Sequence, residues 1–397
     1  VPGMLFEELG FTYLGPIDGH NLEDTIVMLR RAKHIKGPVL IHVITQKGKG
    51  YPPAVLNPGE FHGIGPFEVA TGRPFKSGAK SYTQVFGEFM VKKGGNDPAV
   101  VAITAAMTSG TGLEGFARNY PERFFDVGIC EEHAVTMAAG LASGGMKPVV
   151  AIYSTFLQRA FDQIIHDVCL QKLPVVFAVD RAGLVGEDGP THHGVFDLSF
   201  LRQIPHMIVM APAHEDEMND MLESALQYGQ PVAIRYPRGS GEGIEVKERA
   251  SFIKPGAGLL LREGGHILLL GIGRTVRIAL DAASALGELG IQAAVINARF
   301  AKPLDEDLIL TWARRSGRVV TLEDNVLLGG FGSAVTELLN DARQPTEILR
   351  LGIPDSFVEH GEVNFLLEDL GLSSSAVVES VLNRWPGLNK HRAVRRI

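Results

Sequence analysis

A carboxylate pair stands where an apolar run gives way to small residues: Phe124-Phe125-Asp126-Val127-Gly128-Ile129-Cys130-Glu131-Glu132-His133-Ala134-Val135. The pattern reads as a strand, a turn and a helix whose first turn carries Glu131 and Glu132. Loops at the carboxyl ends of parallel strands are where α/β folds hold ligands, so a carboxyl group here can do acid–base work. An ordinary explanation competes, because the helix dipole favours acidic side chains at an N-terminus. Glu132 reads as an exposed helix residue.

Three more segments follow strands in the same way. In Tyr153-Ser154-Thr155-Phe156-Leu157-Gln158-Arg159, Thr155 can cap a helix whose Phe156, Ala160, Ile164 and Val168 share one face. Phe156 is then either core or an aromatic platform. Asp180 through Gly194 is a long polar loop holding Arg181, Glu187, Asp188 and the pair His192-His193. A metal site there is disfavoured, because adjacent histidines point apart and no further His, Cys or Asp stands at ligand spacing. Arg235-Tyr236-Pro237-Arg238-Gly239 ends another strand. Guanidinium groups bind phosphate oxygens bidentately, so Arg181 and Arg238 can clamp a phosphorylated metabolite, although single arginines at strand ends are often solvated.

The elements that must position these residues are short apolar strands alternating with amphipathic helices, which implies an α/β fold with largely parallel sheets. Strands are expected at 99–105, 125–129, 148–153, 174–179, 206–210 and 231–236, then at 267–270, 293–297 and 318–322. Helices are expected at 22–33, 134–145 and 276–289, with another opening at Gly329-Gly330-Phe331-Gly332-Ser333. Three blocks result: 1–75, 76–247 and 248–397. The first block offers one helix and one strand, too little for a core of its own, so it must dock onto something else. Its start, Val1-Pro2-Gly3, reads as a loop entered mid-chain. At 397 residues the chain has room for two or three domains, since single cores rarely grow past ~250 residues.

A formal charge of -7 argues against a nucleic-acid binder. The 2 cysteines, Cys130 and Cys169, make no disulfide framework and point to a reducing compartment. With no signal peptide and no apolar run near ~18 residues, a cytoplasmic, membrane-free location is expected.

Gly-Ile-Cys-Glu-Glu-His-Ala-Val with Ala-Ala-Gly-Leu-Ala is similar to the pyrimidine-domain signature of the transketolase-like thiamine diphosphate enzymes. The loop Asp-Arg-Ala-Gly with Asp-Gly-Pro-Thr-His resembles that of the 1-deoxy-D-xylulose-5-phosphate synthase family. The resemblance extends over the whole chain: Leu14 to Asn21 looks like the end of the family's first domain, and Arg299 to Asp305, Glu323-Asp324-Asn325 and Gly329 to Gly332 look like its C-terminal domain. It implies a transketolase-like fold: two three-layer domains with parallel or mixed sheets (76–247 binding the pyrimidine, 248–397 C-terminal) plus the end of a third.

By the same resemblance, Glu131 hydrogen-bonds N1′ of the cofactor's aminopyrimidine, and burial suits the protonated donor form. Phe156 stacks on that ring, while Tyr153 and Arg159 line the substrate side. Arg181 and Arg238 contact substrate phosphate, and Asp188 and His192 face the reacting centre. Lys47-Gly48-Lys49-Gly50-Tyr51 and Phe61-His62-Gly63 resemble a segment closing over the site, with Lys47 and Tyr51 toward the cofactor and His62 toward substrate or intermediate. The C-terminal domain is implied to be chiefly structural, so the glycine-rich turn at 329–332 is expected to hold no ligand, although helix N-termini bind anions.

The implied reaction joins pyruvate to D-glyceraldehyde 3-phosphate with loss of CO₂, giving 1-deoxy-D-xylulose 5-phosphate for isoprenoid, thiamine and pyridoxal synthesis by a homodimer. One departure matters. The family holds the diphosphate and Mg²⁺ with Gly-Asp-Gly and a later Asn, and this sequence has no Gly-Asp-Gly. The metal ligands are therefore expected on a missing N-terminal domain, the chain being a fragment. Two alternatives share the fold: the beta subunit of a 2-oxo-acid dehydrogenase's decarboxylating component, and a non-catalytic thiamine diphosphate-binding module. The Asp18-Gly19-His20 block and the two arginines argue against the first, and Glu131 against the second.

Overall fold

The computed structural model describes residues 3–75 and 79–388. The chain divides into two compact units, Val1–Ser77 and Gly78–Ile397.

In the first unit, β1 (Thr12–Asp18) and β2 (Val39–Ile44) pair in parallel, joined by the helix Leu22–Ala32. Asn21 caps that helix, its side-chain oxygen accepting from the N–H groups of Glu23 and Asp24. The strand β1 is absent from the sequence reading, because Gly15-Pro16 interrupts its apolar pattern and shifts the register between Leu14 and Ile17. Among the described residues of this unit Ala54 is the one buried apolar side chain, and Leu22 is 72% exposed. Two strands, one long helix and a few short helical turns leave this unit without a core of its own.

The second unit begins with β3 (Val100–Thr104), β4 (Phe124–Asp126), β5 (Lys147–Tyr153), β6 (Val176–Asp180), β7 (Ile208–Met210) and β8 (Val232–Arg235). It continues with β9 (Leu259–Arg262), β10 (Ile267–Gly271), β11 (Ala293–Asn297), β12 (Phe300–Lys302), β13 (Arg318–Val326) and β14 (Glu347–Ile353). One sheet has the order β12-β7-β8-β6-β5-β3-β4 and is parallel except where β12 runs against β7. The other has the order β14-β13-β10-β11-β9, with β9 antiparallel to β11. The strand β12 lies in the stretch 248–397 yet completes the sheet built by the residues before it.

Both faces of the larger sheet are covered, which is why β3, β6 and β8 are buried along their whole length and apolar up to their last residues, Thr104, Asp180 and Arg235. On one face Ile103, Val150 and Phe177 cluster with Ala134, Val135 and Ala138 of the helix Glu131–Ser143. On the other, Ala102, Val149 and Ala178 meet Tyr82, Phe86 and Met90 of the helix Tyr82–Asn96. The alternation along each strand sends successive side chains to opposite layers. Leu268, Leu270 and Ile296 of the second sheet join the first of these clusters.

A buried ionic brace also ties the two sheets together. Arg235, at the end of β8, is 2% exposed. Its Nε donates to both Asp197 oxygens at 3.2 Å, and its Nη1 donates to Asp324 of β13. Burial opposes its charge, but the two carboxylates prevail and raise its pKa. The glycine-rich turn before the helix Phe331–Asp341 is filled by the chain itself: Glu323 accepts from the N–H groups of Phe331 at 2.6 Å and Gly332 at 2.8 Å. Burial pushes the Glu323 carboxyl up to about 7.

Candidate active site

The turn between β4 and its helix is fixed by Asp126, which accepts from the N–H groups of Ala106 at 2.7 Å and Gly128 at 3.0 Å. Gly128 takes the left-handed conformation (φ 73°) that glycine adopts freely. The chain then enters the helix with Glu131 pointing inward, 1% exposed, while Glu132 is exposed. Glu131 Oε1 accepts from Arg159 Nη1 at 2.6 Å. Its Oε2 is buried and has no hydrogen-bond partner among the described residues. A buried carboxylate oxygen left unpaired is costly, and it marks a place for a polar group the chain does not supply.

From Glu131 the contacts run outward without a break. The Arg159 guanidinium lies 4.8 Å from the Phe156 ring centre. Phe156 stacks on Tyr153 at 5.7 Å and 23° and receives the edge of His192 at 5.5 Å. Arg181 sits 3.7 Å over the Tyr153 ring. Asp188 accepts from Arg238 Nη1 at 2.5 Å. His192 Nδ1 lies 2.9 Å from the Thr191 hydroxyl. The residues singled out in this part of the sequence thus form one contact chain or its rim, with Asp188 and Arg238 also acting electrostatically on Arg181.

The segment after β5 departs from expectation. Thr155 caps nothing: its hydroxyl donates to the Thr191 carbonyl at 3.2 Å, tying this turn to the 180–194 loop. The expected single helix is instead an α turn Ser154–Leu157, a 3-10 turn Gln158–Ala160 and, after a short α stretch, the π turn Ile164–Cys169. Ala160, Ile164 and Val168 are fully buried as expected, but Phe156 is only partly covered, which leaves its ring available as a platform.

Burial lowers the Arg181 guanidinium to about 10, with the nearby Arg238 charge adding to the effect. Its backbone is held in the left-handed region (φ 59°), strained for a side-chain-bearing residue. The support is Asp180, fully buried, whose Oδ1 accepts from the Arg181 N–H at 2.6 Å and whose Oδ2 accepts from the Thr83 hydroxyl at 2.8 Å. Burial pushes the Asp180 carboxyl up to about 7. Gly110 is a second residue that the sequence reading passed over. A Cβ there would lie 1.8 Å from the Tyr153 hydroxyl oxygen, so the tyrosine packs against the glycine backbone. The small-residue run Thr108-Ser109-Gly110-Thr111-Gly112 after β3 was the available signal.

Of the paired histidines, His193 is buried and His192 is partly exposed; among the described residues there is no group of three His, Cys, Asp or Glu that could hold a metal ion. Lys47, Tyr51 and His62 belong to the first unit. Lys47 Nζ donates to His62 Nδ1 at 2.7 Å, and the Tyr51 hydroxyl donates to the Val69 carbonyl, its ring packed on Phe61 and Phe67. The unpaired Glu131 oxygen beside an aromatic platform fits the aminopyrimidine end of thiamine diphosphate.

Fold and site together define a chain of the transketolase type. Family models match it in three stretches: "Transketolase, pyrimidine binding domain" at residues 79–242, "Transketolase, C-terminal domain" at 256–377, and "1-deoxy-D-xylulose-5-phosphate synthase" at 1–45. The 1-deoxy-D-xylulose-5-phosphate synthase of Syntrophomonas wolfei is 56% identical over 388 residues, 98% of this chain and 61% of that protein. That of Pelotomaculum thermopropionicum is 58% identical over 387 residues, 97% of this chain and 61% of its own length. Among solved structures, a split-gene transketolase described as an inactive beta4 tetramer is 33% identical with a TM-score of 0.68, covering 77% of this chain and 98% of that one. Transketolase from Campylobacter jejuni shares the fold at 20% identity and a TM-score of 0.64, covering 96% of this chain and 68% of that one. The chain belongs to the transketolase family, in its 1-deoxy-D-xylulose-5-phosphate synthase group, and spans 61% of the length of the two synthases. No helix among the described residues is long and apolar enough to cross a membrane.

Proposed function

We propose that this chain forms the pyrimidine-binding part of an enzyme making 1-deoxy-D-xylulose 5-phosphate from pyruvate and D-glyceraldehyde 3-phosphate, with release of CO₂. The observation that carries the reading is the contact chain from Glu131 through Arg159, Phe156 and Tyr153 to Arg181. It places one unpaired buried carboxylate oxygen and a guanidinium suited to phosphate at opposite ends of a single aromatic surface. Thiamine diphosphate, when bound, supplies the nucleophilic carbon and electron sink that decarboxylation of a 2-oxo acid needs.

Glu131 Oε2 hydrogen-bonds the aminopyrimidine, and Arg159 orients Glu131 by holding its other oxygen. Phe156 supplies the stacking surface. His192 Nε2, without a hydrogen-bond partner among the described residues while Nδ1 meets Thr191, moves a proton at the reacting substrate oxygen; Asp188, paired with Arg238, faces the same centre. Arg181 and Arg238 bind the acceptor's phosphate through charge-assisted bonds. Lys47 and Tyr51 are assigned to the cofactor and His62 to the substrate. Mg²⁺ is the expected partner of the diphosphate, with ligands outside the residues described. The blocks 1–75, 76–247 and 248–397 serve as end of the diphosphate domain, pyrimidine domain and C-terminal domain. The working form is a homodimer in a bacterial cytoplasm.

The test uses a catalytically competent preparation containing this chain. Arg181→Ala and Arg238→Ala should each lower kcat/KM for D-glyceraldehyde 3-phosphate by ~10–150-fold, the loss of one charge-assisted bond of ~1.5–3 kcal/mol. Unphosphorylated D-glyceraldehyde should be far less affected. Equal losses for both acceptors would remove the clamp and return weight to the dehydrogenase-subunit reading.

A further inference from the structure

His193 neighbours a residue of the site, yet it is 3% exposed and turned away from it. Both ring nitrogens are engaged. Nδ1 accepts from the Val185 N–H at 3.1 Å, and Nε2 lies 3.2 Å from the Glu359 carbonyl. A backbone N–H can only donate and a carbonyl can only accept, so the tautomer is settled: the proton is on Nε2 and the ring is neutral.

The loop is closed at its neck, where Gly183 and Gly194 exchange backbone bonds of 2.7 and 2.8 Å. Beyond the neck, the His193–Val185 bond clips the two arms together. The Glu359 contact then fixes the clipped loop to the segment 359–361, whose Gly361 N–H also donates to the Gly186 carbonyl at 3.3 Å. That segment lies within 256–377, the stretch matching the transketolase C-terminal domain. Asp188 and His192 are carried between these fixed points.

We propose that His193 is a positioning residue: as a neutral bridge between the Val185 N–H and the Glu359 carbonyl, it holds the loop bearing Asp188 and His192 in register against the C-terminal domain. The proposal rests on the reading that this loop lines the active site. It makes acid a specific antagonist, because a proton on Nδ1 would face the Val185 N–H with a second donor. Burial is the main influence on the ring and moves its pKa below the usual 6.5; the Glu359 carbonyl and Asp188 oppose that shift, and His192 adds to it. His360, packed against Gly189, and the Glu359 side chain are further titratable groups at this contact. With the folded pKa below the free value, the bridge contributes fully above pH 6.5 and is lost as pH falls through that value toward the lower one.

The experiment is hydrogen exchange, read by mass spectrometry across 184–194 of this 397-residue chain at pH 7.5 and 5.5 and corrected for the intrinsic rate. Wild type should be protected at pH 7.5 and open about tenfold more at 5.5, the scale of one lost hydrogen bond. His193→Gln, whose amide can both accept from Val185 and donate to Glu359, should stay protected at both pH values. His193→Leu should be open at both. Equal protection of wild type at the two pH values, or opening of the Gln variant, overturns the proposal; that comparison stands even if the Leu variant does not fold. Steady-state kinetics on competent enzyme complete the test, with kcat falling in Leu and recovering in Gln. If exchange changes as expected but turnover does not, the bridge is real, and it is the placement of this loop in the active site that fails.

Discussion

Arg235→Met removes the cation of the buried brace while keeping most of the side-chain volume. Asp197 and Asp324, 0% and 1% exposed, are then left as like charges with no counter-ion. Asp197 keeps the Ser154 hydroxyl at 2.9 Å, whereas Asp324 Oδ2 is already without a partner among the described residues. Breaking a buried pair by removing one member costs ~3–5 kcal/mol, and here one arginine serves two carboxylates, so the loss should sit near ~5 kcal/mol. That is a large share of the ~5–15 kcal/mol that holds a domain together. Urea denaturation followed by circular dichroism reads the effect as a lower midpoint at unchanged slope. The deficit should shrink at low pH, because protonating the abandoned carboxylates removes the repulsion. Adding Asp197→Asn and Asp324→Asn should recover most of the loss at neutral pH, since neutral amides need no counter-ion. A loss under ~1 kcal/mol for Arg235→Met, or a triple variant as weak as the single one, would show that the brace is packing and not charge.

Asp180 keeps a proton in the folded state up to about pH 7, against 3.8 for the free group, so folding stability should fall as pH rises from about 4 to 7. Asp180→Asn should flatten that fall, by up to ~4 kcal/mol for a carboxyl so displaced, and urea midpoints at pH 5, 6 and 8 that decline equally in both proteins would refute it. Gly110→Ala should drive the Tyr153 ring off its seat, weakening catalysis by ~10-fold or more through misplacement alone, while a near-normal Tm shows the fold intact; unchanged kinetics would mean that Tyr153 does not need that seat. Isothermal titration of this chain with thiamine diphosphate and Mg²⁺ should give only weak binding, because the sequence has no Gly-Asp-Gly; submicromolar affinity would place the diphosphate ligands within these residues.

The strands buried on both faces were legible because apolar residues fill nearly all their positions: the 293–297 expectation coincides with β11, and β3, β5 and β10 fall within a residue or two of theirs. The strand β12 was not legible. Its three residues show no period, and its partner β7 is some ninety residues away in the chain. The residues at strand ends were legible for a related reason, since the position itself sets which side chains face the cleft. What stood behind them was hidden. Nothing in Arg235-Tyr236-Pro237-Arg238 tells the core arginine from the one paired with Asp188; burial against Asp197 and Asp324 does.

The same asymmetry changes the standing of the C-terminal domain, which the family resemblance makes chiefly structural. Its residues reach the 180–194 loop at successive points. Asp324 Oδ2 would lie 2.1 Å from any Cβ at Gly183, the Glu359 carbonyl takes the His193 bond, and the Gly361 N–H meets Gly186. Each contact falls on a residue near, not on, Asp188 and His192. A loop with no helix or strand of its own takes its geometry from what it leans on, here including the apolar cluster of Leu184 with Ile353, Leu366 and Leu372. Here the support comes from well over a hundred residues further along the chain. This stretch can therefore set the alignment of Asp188 and His192, and substitutions at its contact points should be felt in turnover before they are felt in folding.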